Sequence, residues 1–109
     1  MKRSVFLHLG DILRDYPYMN QAIEEHLQSV CYTIADDRAV VHLREEHNAV
    51  EKCIGECNQL TNEVIDAMYF NPDPNLSIIG ITAKLNISES TLYRCRNYFL
   101  EKLKRELGW

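Results

Sequence analysis

The sequence predicts an all-α protein in which N-terminal helices pack on a long central helix that leads into a C-terminal pair of helices joined by a tight turn. Three observations predict it. Apolar residues recur at spacings of three and four, and no strand-like alternation of useful length occurs. One such pattern runs from residue 40 to residue 68 without a proline. The densest turn signal, Asn71-Pro72-Asp73-Pro74-Asn75, stands directly after it.

In chain order, the first predicted helix covers 5–13, with Phe6, Leu9, Ile12 and Leu13 on one face. Tyr16-Pro17 ends it, because the residue before proline avoids the helical region. A second helix over 19–30 turns Ile23, Leu27 and Val30 inward and Glu24, Glu25 and Gln28 outward. A third is predicted over 37–70, with Asp36 or Asp37 as its cap. Val40, Leu43, His47, Val50 and Ile54, continued by Cys57, Thr61, Val64 and Met68, form a heptad-type seam along it. Gly55 costs about 1 kcal/mol relative to Ala inside a helix, so a break near 55–58 is the alternative to one continuous rod. A rod of that length cannot bury its own seam. Either residues 4–30 fold back on it or a second copy covers it, and a homodimer through the seam residues 40, 43, 47, 50 and 54 is the expectation.

After the prolines, Ser77 can cap a two-turn helix that turns Ile78, Ile81 and Leu85 to one side. Asn86-Ile87 makes a turn, and Asn tolerates the left-handed conformation such a turn needs. Ser88 caps the last helix, and Glu89 complements its positive end. Leu92, Cys95, Phe99, Leu103 and Leu107 form its inward stripe. Two helices, a short turn and a polar outer face at the start of the second helix make a helix-turn-helix.

Charge favours the same end of the chain. The net charge is -4, but residues 1–83 hold six Lys and Arg against thirteen Asp and Glu, whereas residues 84–109 hold six against three. A polyanion is repelled by the first part and accepted only by the second. With its N-terminal turns in a major groove, the last helix would offer Ser90, Tyr93, Arg94 and Asn97 to base edges. Ser77, Lys84, Ser88, Arg96, Lys102, Lys104 and Arg105 are placed for the phosphate backbone.

The stretch ITAKLNISESTLYRCRNYFLEKLKREL resembles region 4 of bacterial sigma factors, in its L-x-I-S-x-x-T-hydrophobic-x-R core and its F-L-E-K-L-K ending. The resemblance covers about residues 60–107, with 60–70 as the leading helix. With the N-terminal stretch ILRDYPYMNQAIEEHL, the whole chain resembles the small late-gene activators of Gram-positive phages and prophages, the RinA/ArpU kind. That resemblance implies a sequence-specific double-stranded DNA-binding regulator with Ser90, Tyr93, Arg94 and Asn97 as its reading residues. A sigma-like module that grips RNA polymerase or a sigma partner without reading DNA is the other implied function. The sequence departs from the family pattern at Gly80, Glu89, Ser90 and Cys95.

Other functions find less support. No Gly-rich phosphate loop or Ser-His-Asp order is present, and the paired acids 24–25, 36–37 and 45–46 diverge around a helix, so a non-enzyme without a cofactor is expected. Cys31, Cys53, Cys57 and Cys95 lack a C-x-x-C pair and are expected to be reduced, packed thiols. A metal at Cys53 and Cys57 would have to recruit His42 or His47. His26, too, is expected to be a surface or packed side chain. No run of about 18 apolar residues exists to span a membrane. The apolar start ends at His8 and Asp11, unlike a signal peptide, so a cytoplasmic location is expected. Two parts are anticipated: a helical unit over 1–59 for oligomerisation or partner contact, and a DNA-binding unit over 60–109.

Overall fold

A computed structural model describes residues 1–109 and contains no strand. Helix α1 spans Arg3–Asp15 and buries Leu9, Ile12 and Leu13. Pro17 stops it and fits the first turn of a 3-10 segment, Tyr16–Tyr18, where no amide donor is required. Helix α2, Met19–Leu27, follows at once and buries Met19 and Ile23. It stops earlier than expected. Leu27 is half exposed and Val30 lies in a loop, fully exposed, so neither faces inward.

Helix α3 spans Ile34–Glu56. Its cap is Thr33 rather than Asp36 or Asp37. The Thr33 Oγ1 accepts from the Asp36 amide at 3.1 Å, and the Thr33 amide donates back to the Asp36 carboxylate at 3.0 Å. This reciprocal pair closes two open backbone donors. The His26 Nδ1 lies 2.8 Å from the same carboxylate and ties α2 to the start of α3.

The rod expected over 37–70 is broken, two residues beyond Gly55. Cys57 adopts an extended conformation, and Asn58 starts a new helix, α4, Gln59–Ile65, by accepting from the Thr61 amide at 2.8 Å. Asn62 reinforces the break: its Nδ2 donates to the carbonyl of Ile54 at 2.9 Å, a group left open where α3 ends. Helix α4 runs on into a π-helical turn, Asp66–Phe70, closed by the Asn71 amide on the Asp66 carbonyl at 2.8 Å. The Asn-Pro-Asp-Pro-Asn segment follows as loop. Helices α5, Ile78–Leu85, and α6, Glu89–Glu106, complete the chain.

The seam is covered by the chain itself. Val50 is fully buried in the main core with Leu9, Ile12, Leu13 and Met19, and Leu43 and Ile54 pack against that core. Val40 is 3% exposed, and the His47 ring stacks on Tyr16 at 5.0 Å. Residues 4–30 therefore fold back on α3, and the expected homodimer seam is not a free surface. A division at 59/60 does not separate two cores either. Phe99, Leu100 and Leu103 of α6 share one core with α1, α2 and α3.

Candidate nucleic-acid interface

Helices α5 and α6 are set by their caps. The Ser77 Oγ accepts from the Gly80 amide at 3.3 Å, and the Ser88 Oγ from the Thr91 amide at 3.1 Å. Between them Asn86 takes the left-handed conformation, φ 56° and ψ 48°. The Ile87 amide reaches back to the Thr82 carbonyl at 3.0 Å, which closes the end of α5. Gly80 has a steric role: a Cβ there would lie 2.9 Å from the Leu76 Cδ2, so the missing side chain makes room for Leu76 under α5. A second, smaller core of Val64, Ile81 and Leu92 locks α5 and α6 to α4, with Ile78, Leu85 and Ile87 around it.

The outer face of α6 carries Ser90, Arg94 and Asn97, all exposed. Arg94 makes neither a side-chain hydrogen bond nor an ion pair, so its guanidinium is free to engage a ligand. The Asn97 Oδ1 accepts from the Arg96 Nε at 3.1 Å and from its Nη2 at 2.9 Å. That contact leaves the Asn97 amide nitrogen free and fixes the amide's orientation. Tyr93 is half-buried beside the small core, with its hydroxyl 3.4 Å from the Glu89 carboxylate. Glu101 is exposed one turn beyond Asn97 and limits the face to the N-terminal half of the helix.

Two of the residues expected at phosphates are otherwise engaged. The Arg96 guanidinium lies between two rings, 4.9 Å from Phe6 and 4.8 Å from Tyr93, and so clamps α6 to α1. The Lys102 Nζ pairs with the Glu56 carboxylate at 2.8 Å, and its side chain is only 19% exposed. This contact holds the Glu56 carboxyl below, and the Lys102 ammonium above, their usual ranges. Lys52 pairs in turn with Glu106 of α6 at 3.2 Å. The two pairs run in opposite senses across the α3–α6 contact, so they tie the helices together and leave the charge difference between the two parts of the chain unchanged. Lys84, Lys104 and Arg105 form no ion pair, and Lys84 and Arg105 are exposed. Ser88 also directs its hydroxyl to Thr91 Oγ1 at 2.9 Å, so its hydrogen bonding stays within the cap.

No three His, Cys, Asp or Glu side chains are grouped to hold a metal ion. Cys53 is fully buried, and burial first, then the neighbouring Cys57 and Glu106, push its thiol up to about 12, as fits a packed side chain. No helix is long and apolar enough to cross a membrane. No protein-family model, curated protein or solved structure matches the chain.

Proposed function

We propose that this protein is a sequence-specific double-stranded DNA-binding transcriptional regulator, acting in the cytoplasm and without catalysis, that places the N-terminal half of α6 in the major groove. One observation carries the reading. A rigid helix, fixed by a capped turn and two cores, holds an unpaired arginine and an exposed amide one turn apart on its open face. Arg forks onto guanine in the major groove, and Asn97, with its Oδ1 held by Arg96, offers its free Nδ2 donor to a purine N7. The resemblance to sigma region 4 points the same way and adds the expectation of a phage late-gene activator. Ser90, Arg94 and Asn97 are the reading residues, with Tyr93 supporting them from the flank. Lys84, Lys104 and Arg105 supply backbone affinity, and Ser77, the cap of α5, lies at the opposite end of that helix from Lys84.

A lone recognition helix covers about four or five base pairs. The full site therefore needs a second DNA-bound copy or a partner, joined through a surface other than the α3 seam. A salt titration on a duplex pool tests the electrostatic part. The three unpaired cations assigned to the backbone, Lys84, Lys104 and Arg105, give a slope of log affinity against log salt of about -3 per chain. A slope near zero, or no binding at low salt, refutes the proposal.

A further inference from the structure

We propose that the open groove between α4, α5 and the end of α3 docks a basic, apolar-tipped segment of a partner protein. The groove has a volume of about 1020 Å³. That is ample for two or three side chains of a docked segment, and its floor includes Ile54, Ala67, Phe70 and Leu85. Three carboxylates, Glu63, Asp66 and Asp73, line it.

None of the three is paired with a cation. Glu63 accepts from Gln59 at 3.0 Å, Asp66 from the Asn71 amide group at 2.7 Å, and Asp73 from the Asn75 backbone amide at 2.9 Å. These neutral donors orient the carboxylates without cancelling their charge. Lys84 also reaches the groove but forms no ion pair with them. Three acids against one lysine over an apolar floor give the groove a net negative potential, which attracts cations. The widened π-helical turn puts Asp66, Ala67 and Phe70 on this surface together, and such turns recur at functional sites. Tyr16 closes one wall: its ring packs on Phe70 at 4.9 Å and its hydroxyl donates to Glu51, and burial first, then Glu51, raises the phenol above its ordinary range.

The occupant follows from the charge and the floor. An arginine or lysine on either side of an aromatic or aliphatic side chain satisfies both. No residue of α6 lines the groove, and of the proposed DNA contacts only Lys84 does, so this docking does not depend on α6 reading DNA.

The test is selection of a phage-displayed random 16-residue peptide library on the full chain. Enriched peptides are then synthesised with a fluorescein label, and binding is read by anisotropy. The expected peptides carry Arg or Lys flanking an apolar residue. Their affinity falls at least tenfold for the double variant Glu63→Lys, Asp66→Lys. It stays within twofold for Glu24→Lys, Glu25→Lys, which changes net charge equally on exposed positions of α2. Circular dichroism checks that both variants keep the wild-type helix content, and the groove variant keeps any DNA sequence preference. Peptides without basic bias, equal losses in the two variants, or no enrichment overturn the proposal. So does self-association of the chain that the groove variant abolishes, because the occupant would then be a second copy.

Discussion

Arg96 and Arg94 stand two residues apart on α6 and do different work. Arg96 is held between the rings of Phe6 and Tyr93 and fixes the Asn97 amide, while Arg94 is free. A cation over an aromatic face contributes about 0.5–1 kcal/mol at a partly exposed site. Arg96→Ala is therefore expected to cost about 1–2 kcal/mol in urea denaturation while leaving the salt slope of DNA binding unchanged. Glu46 offers a second test. It is only 8% exposed, and burial raises its carboxyl above the ordinary range, with His42 and His8 acting in the opposite sense. A group raised on folding contributes stability below its unfolded value and loses it as pH rises through the folded value. At pH 8 the native state must hold Glu46 ionised against that preference. Glu46→Gln is expected to raise the melting temperature at pH 8, by a margin that shrinks as pH falls through the glutamate range. A margin that grows toward acid would contradict this. The Arg96–Phe6 contact and the burial of Glu46 were not legible in the sequence, because they depend on α1, distant in the chain, whereas Tyr93 and His42 are local neighbours. Ser88, Asn86 and the Leu92, Phe99 and Leu103 stripe were legible, because caps, turn residues and helical faces are local.

The broken central helix shows how a strong pattern can mislead at the scale of elements. The seam spacing runs unbroken through residues 54, 57 and 61, and those positions do face inward. Apolar periodicity records which face is buried, and it survives a kink that preserves that face. The signal for the break was Asn58 three residues before Thr61, a local cap that competes with helix continuation. The start of α3 lies at Thr33 for a related reason: Asp36 is the N3 partner of the capping box, not the cap. Gly55, the suspected cause of a break, is an ordinary helical residue whose added Cβ would meet nothing within 4 Å. Gly55→Ala is accordingly expected to stabilise the chain by about 1 kcal/mol, read from the urea midpoint. A loss of stability would mean that Gly55 itself takes part in ending α3.

Across the whole molecule, α6 unites the two parts of the chain, packing its inner face against α1, α3 and α4 and leaving its outer face to solvent. The cost of that arrangement is that α3 has no seam left to offer a second copy. Val50→Arg puts a charge into a site that is 0% exposed, so it is expected to unfold the chain, seen as loss of helical circular dichroism. A folded monomer released from a wild-type dimer would instead restore the seam as an interface. The central claim is that the outer face of α6 reads base pairs, and it is tested most directly by selecting random duplexes with the wild-type chain and with Arg94→Ala in parallel. Arg94 is exposed and unpaired, so its loss leaves the fold intact. The account predicts a sequence motif for the wild type that includes a guanine, with that position relaxed in the variant by about 1–3 kcal/mol of discrimination. No motif for the wild type, or the same motif at the same strength for Arg94→Ala, would contradict it.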